Sequence, residues 1–194
     1  MARLSYPDLE SFTGDARVAA DKLRQRFASQ KRIPNIYAVM ANCPEGAQKV
    51  SDIAVYLRGS GNLEPIVWET AILAVLAFTK CQYEWSAHVR TALRSGLDAD
   101  TIGLLAEGRV EAVADERLRA VACYALELAR DATASDAAFE ALRRHFDDPR
   151  TLFDITLTVA FYSLIARMTN GLAIEMDDPR TALPFGRPPD ELSC

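Results

Sequence analysis

From Ala16 to Leu172 the apolar residues return every three or four positions, and no polar/apolar alternation runs long enough to make a half-buried strand. Stripes of that spacing bury themselves by packing helix on helix, so the chain is expected to be all-α. Its 194 residues suffice for a substantial core, and 1–194 is read as a single-domain helical bundle.

Start and stop signals divide the pattern. A first helix is expected over 15–29, with Ala16, Ala19, Ala20, Leu23 and Phe27 inward, followed by a short turn holding Tyr37 and Met40. Another carries Ala47, Val50, Ala54 and Leu57 until Gly59 stops it. Residues 66–78 are apolar on almost every side except at Glu69 and Thr70, and read as a buried central helix. Pro65 suits its first position, where the missing N–H costs nothing. The next helix is expected from about Thr79 to Ser95, with Gly96 as its stop. Asp98, Asp115 and Ser135 mark three more starts, and a second central helix is expected over 150–172. The tail, 177–194, contains four prolines and is expected to be extended, lying on this subunit or a neighbour.

Within that frame the run Cys81-Gln82-Tyr83-Glu84-Trp85-Ser86-Ala87-His88 concentrates the chemistry. Positions i, i+3 and i+7 of a helix share a face, so Cys81, Glu84 and His88 can line one surface. Glu69 lies in an apolar segment where a carboxylate is costly without a partner, and it reaches the cluster if the two helices fold back on each other. A cysteine at a helix start is biased towards thiolate, an imidazole can take or return its proton, and either glutamate can orient the ring. Plainer readings stand beside these. Cys81 also suits a small buried hydrophobe, His88 a satisfied core histidine, and Glu69 an ion-pair partner of Arg167. Tyr83 and Trp85 suit packing or a subunit contact, and His145 the end of a helix.

Other classes lack support. No phosphate-cradling glycine run exists, and the basic residues are scattered among acids at a net charge of −5, so nucleic acid is not an expected partner. No H-x-x-x-H or repeated C-x-x-C supports a metal, and no cofactor is assigned. The first eight residues lack an apolar core, and no apolar run of spanning length is free of charge. A soluble, cytoplasmic protein with no membrane partner is therefore expected. The four cysteines, Cys43, Cys81, Cys123 and Cys194, are too few and too irregular for a disulfide framework, and are expected to be thiols.

Glu69, then Thr79-Lys80-Cys81, Glu84-Trp85-x-x-His88-Val89-Arg90 and Ser95-Gly96-Leu97 together resemble the carboxymuconolactone decarboxylase and alkylhydroperoxidase D-like superfamily. The resemblance covers 63–107 most closely, with weaker likeness at 35–40 and 167–170. It implies a small all-α protein that assembles as a dimer, trimer or hexamer, with Glu69, Cys81, Glu84 and His88 as catalytic residues acting on a small molecule. The peroxidase branch carries C-x-x-C followed by His, whereas here Glu84 holds the second thiol's position and Tyr83 stands where that branch has another histidine. The variant is closer to the decarboxylase-like branch, which implies proton transfer to a small carboxylated or lactone substrate. His88 would be the donor, tuned by Glu84 and Glu69, with Arg90 and Arg167 as cations for a substrate carboxylate. Thiol-dependent peroxidase (peroxiredoxin-type) activity through Cys81 is the alternative, and a non-catalytic ligand-binding oligomer a third.

Overall fold

The computed structural model describes residues 1–29, 32–59, 61–188 and 192. Among them are nine α-helices and no strand, as the apolar period requires. Cys194 lies outside the described residues. The chain divides into two compact units, Met1–Ser60 with Thr169–Arg180, and Gly61–Met168 with Thr181–Cys194.

The first unit holds α1 (Gly14–Arg26), α2 (Asn35–Met40) and α3 (Pro44–Gly59), with α3 packed against both others. Ala20 and Phe27 are buried, as the expected inner face requires, while Arg17 pairs with Asp21 one turn along at 3.0 Å. The helix ends at Arg26, short of the expected Ser29, because the Phe27 amide closes onto the carbonyls of Leu23 and Arg24. The N-terminal arm is pinned by Arg3 N–H to Leu172 O at 2.8 Å and by Tyr6 Oη–H to Glu175 Oε2 at 2.7 Å. Asn35 fastens the start of the tail, its amide donating to Asp177 Oδ1 at 2.8 Å and its side chain to Glu175 O at 2.9 Å.

The second unit holds α4 (Pro65–Thr79), α5 (Gln82–Arg94), α6 (Ala99–Glu107), α7 (Glu116–Asp131), α8 (Asp136–Arg143) and most of α9 (Pro149–Gly171). Every residue of α4 from Glu69 to Ala77 is buried, and α5, α6 and α7 pack around it. Three helices begin on side-chain caps where expected: Asp98 accepts from Thr101 N–H at 2.8 Å, Asp115 from Leu118 N–H at 3.0 Å, and Ser135 from Ala138 N–H at 3.2 Å. Each such cap contributes about 1 kcal/mol.

The start of α5 also differs from the sequence reading. Thr79 belongs to α4, its hydroxyl donating back to Val75 O at 2.8 Å, and Lys80 then takes a left-handed conformation with φ 51°. The Cys81 amide reaches Leu76 O at 3.1 Å to close the helix end, so Cys81 is the N-cap of α5 and not a residue within it.

Residues 181–188 run along α5 and α6 as a strap. Leu183 N–H donates to Ser86 Oγ at 3.0 Å, Trp85 Nε1–H to Pro184 O at 2.9 Å, and Arg90 to Thr181 O at 2.9 Å. Arg187 pairs with Asp100 at 2.8 Å, and the Phe185 ring lies 5.1 Å from that of Trp85. Between Thr181 and Arg187 this part of the tail is thus bonded to α5 and α6, following a 3-10 turn at Pro179–Thr181.

Candidate functional site

The turn at Lys80 makes α4 and α5 a helical hairpin, and so sets a residue of the apolar helix against one of the amphipathic helix. Glu69 is fully buried, and its Oε2 lies 2.8 Å from Nδ1 of His88. On the other side of the ring, Nε2 lies 3.6 Å from Glu84 Oε2, one turn back on α5. That separation exceeds a hydrogen bond and leaves room for reorientation. The Glu84 side chain is 12% exposed against 6% for His88, so the cluster opens towards solvent on the Glu84 side.

Two aromatic rings frame the imidazole. Tyr162 of α9 presents an edge contact at 4.9 Å between centroids and Trp68 of α4 another at 5.9 Å, the two being 6.0 Å apart. Neither ring stands out in the sequence. Trp68 was accessible in principle, since it precedes Glu69, whereas Tyr162 lies 74 residues from His88 with no pattern to join them.

When Glu69 is ionised it can only accept, which puts the proton on Nδ1 and leaves the lone pair of a neutral ring on Nε2, facing Glu84. The second oxygen of Glu69, Oε1, is buried and has no hydrogen-bond partner among the described residues. A half-satisfied buried carboxylate holds its one bond firmly, which fixes the ring's rotamer and tautomer.

Glu69, His88 and Glu84 are therefore brought together. Cys81, one residue before α5, is fully buried. Cys43 is exposed in the first unit, and Cys123 on α7 is half-buried with its thiol pushed up by burial, Glu111 and Glu127. Trp85 is buried, and His145 is exposed beyond the end of α8. The proposed pairing of Glu69 with Arg167 is replaced by His88: Arg167 is exposed and donates to Ser163 O on its own helix at 3.1 Å. Arg90 donates to the carbonyls of Ser86 and Thr181. Among the described residues, no three His, Cys, Asp or Glu side chains are grouped so as to hold a metal ion.

Residues 44–127 match the carboxymuconolactone decarboxylase family. No curated protein matches the chain. Among solved structures, the chain is similar to an alkylhydroperoxidase AhpD core, an uncharacterized peroxidase-related protein from Ralstonia eutropha JMP134, at TM-score 0.74 and 22% identity, covering 99% of this chain and 94% of that one. A peroxidase-related protein from Silicibacter sp. TM1040 gives 0.74 and 21%, covering 95% of each. The debrominase Bmp8, solved in complex with 2,3,4-tribromopyrrole, gives 0.69 and 18%, covering 92% of each. At these identities the structures speak for the helical fold alone.

Proposed function

We propose that this chain, whose residues 44–127 match the carboxymuconolactone decarboxylase family, catalyses proton transfer on a small carboxylated or lactone substrate, with His88 as the acid/base group. The observation that carries this reading is an imidazole with a carboxylate at each nitrogen, 2.8 Å away on the buried side and 3.6 Å away on the open side. In a decarboxylation the bond to the departing carboxylate breaks and its electron pair stays on the substrate as a dienolate. Protonated Nε2 of His88 then delivers its proton to that carbon, and the ring regains one from water. Glu69 is a positioning residue that keeps Nδ1 protonated, and Glu84, 3.6 Å from Nε2, relays the proton that the ring regains from water.

The relatives' names keep a second reading in view, thiol-dependent hydroperoxide reduction through Cys81. The N-cap position of Cys81 supports it, since a helix start favours the thiolate form. Glu84 in the resolving position and the complete burial of Cys81 count against it. One experiment separates the two. Carbon dioxide release from a carboxymuconolactone and cumene hydroperoxide consumption with dithiothreitol are measured for wild type, His88→Ala and Cys81→Ser. Proton-transfer chemistry is lost with His88 and survives the change at Cys81; loss confined to Cys81→Ser in the peroxide assay overturns the proposal.

We further propose self-association. Phe153 (61% exposed) and Leu164 (42%) on α9 leave large apolar surface outward, and light scattering of the purified chain tests it.

A further inference from the structure

The first unit contains a groove of about 310 Å³ between α1 and α3 that the proton-transfer reading does not use. Ala19, Ala20 and Leu23 form one wall, Ala47 and Val55 the other. The polar groups on its surface include Arg26 and Ser51, with Lys22 exposed among the lining residues. This is the small end of the roughly 300–1,000 Å³ range of ligand pockets, and its apolar walls with a few polar groups are the usual composition.

Arg26 is what gives the groove a chemical preference. Its guanidinium donates to Ser51 Oγ and, at 3.3 Å, to Tyr37 Oη, and its carbon lies 4.9 Å from the centre of the Tyr37 ring and 5.4 Å from that of Phe27. Those contacts hold the group in place and use two of its five N–H donors. No Asp or Glu pairs with it among the described residues. Its neighbours on the same helix differ: Arg17 pairs with Glu10 and Asp21, and Arg24 with the same two acids. A half-buried, immobilised cation facing an apolar slot with donors to spare is complementary to an anion that brings its own apolar body.

We propose that this groove binds a small organic monoanion, an aliphatic or aromatic carboxylate, with the carboxylate on Arg26 and the hydrocarbon between α1 and α3. A dianion fits worse. The adjoining depression, which shares Ala19, Lys22 and Gln48 with the groove, sets Asp15 and Glu45 against Lys22 and Lys49 and so offers no net positive charge for a second anionic group.

The test is calorimetric titration of the full chain with octanoate and with its neutral counterpart, octanol. Wild type is expected to bind octanoate saturably and about tenfold more tightly than octanol, the margin of a charge-assisted hydrogen bond. Arg26→Gln is expected to lower octanoate to the level of octanol. Because Arg26 also packs on Tyr37, Ala47→Trp provides an independent arm: it fills the slot from the α3 side and should abolish binding of both. The proposal is overturned if wild type shows no saturable octanoate binding, if octanol binds as tightly, or if octanoate binding persists in Ala47→Trp.

Discussion

His88 Nδ1 and Glu69 Oε2 meet at 2.8 Å across 19 residues of sequence, joining α5 to the buried face of α4. The bond orients the ring, so its loss should be felt in the chemistry before it is felt in the fold. Glu69→Gln retains the shape but can present an amide donor to Nδ1 and reverse the tautomer. If His88 is the acid/base group, activity should fall about 10²–10⁴-fold, with a shifted pH–rate profile and little change in KM. An unchanged profile at reduced stability would assign the pair to structure alone.

Glu84→Cys places a second thiol three residues after Cys81 at the start of α5. The variant is expected to form an intrahelical disulfide on mild oxidation, read as the loss of two titratable thiols, and to consume hydroperoxide with a dithiol faster than wild type. Failure of the disulfide to form would mean that the Cys81 thiol is held away from the opening at Glu84.

Gly103 lies under the strap, where an added Cβ would stand 3.2 Å from Arg187 Cβ and 3.4 Å from its Cα and N. Backbone cannot yield as a side-chain tip does, so Gly103→Ala should lift residues 183–187 and cost about 1 kcal/mol. Trp85→Phe removes the bond to Pro184 O and should cost a similar ~1 kcal/mol. Hydrogen exchange at the Leu183 amide checks both, rising in each variant.

The Tyr6–Glu175 pair gives the first unit two pH limits. Burial and the Glu175 carboxylate push the Tyr6 phenol up to about 12, so its contribution is complete below about 10 and is lost as pH rises towards 12. The Tyr6 hydroxyl and the N-terminal ammonium hold Glu175 down at about 2, so its contribution is complete above about 4.5 and is lost as pH falls through 2. Tyr6→Phe should flatten the alkaline limb of a stability–pH curve and narrow the acid one. Absorbance titration of tyrosinate follows the first directly.

Much of this was legible because the residues concerned lie on strongly periodic helices. The apolar run around Glu69 demanded burial, and a buried carboxylate demanded a partner, which made His88 a reasonable guess. Choosing His88 over Arg167 depended on how the hairpin closes, and that is decided at Lys80, a residue type with no preference for the conformation it adopts. Tyr162 and the strap's partners on α5 and α6 leave no sequence signal for a different reason. Their contacts span tens of residues and are made by carbonyl groups and ring edges, which leave no pattern in a single chain.

The left-handed residue at Lys80 gives the site a mechanical phase. Lys80 and Cys81 lie outside both helices, so adding or removing one position between Thr79 and Gln82 would re-aim α5 as a rigid body. His88 would then swing off Glu69 while every helix kept its length and composition. Lengthening that joint by a single amino acid is therefore a way to uncouple the two ends of the hairpin without touching any reacting group.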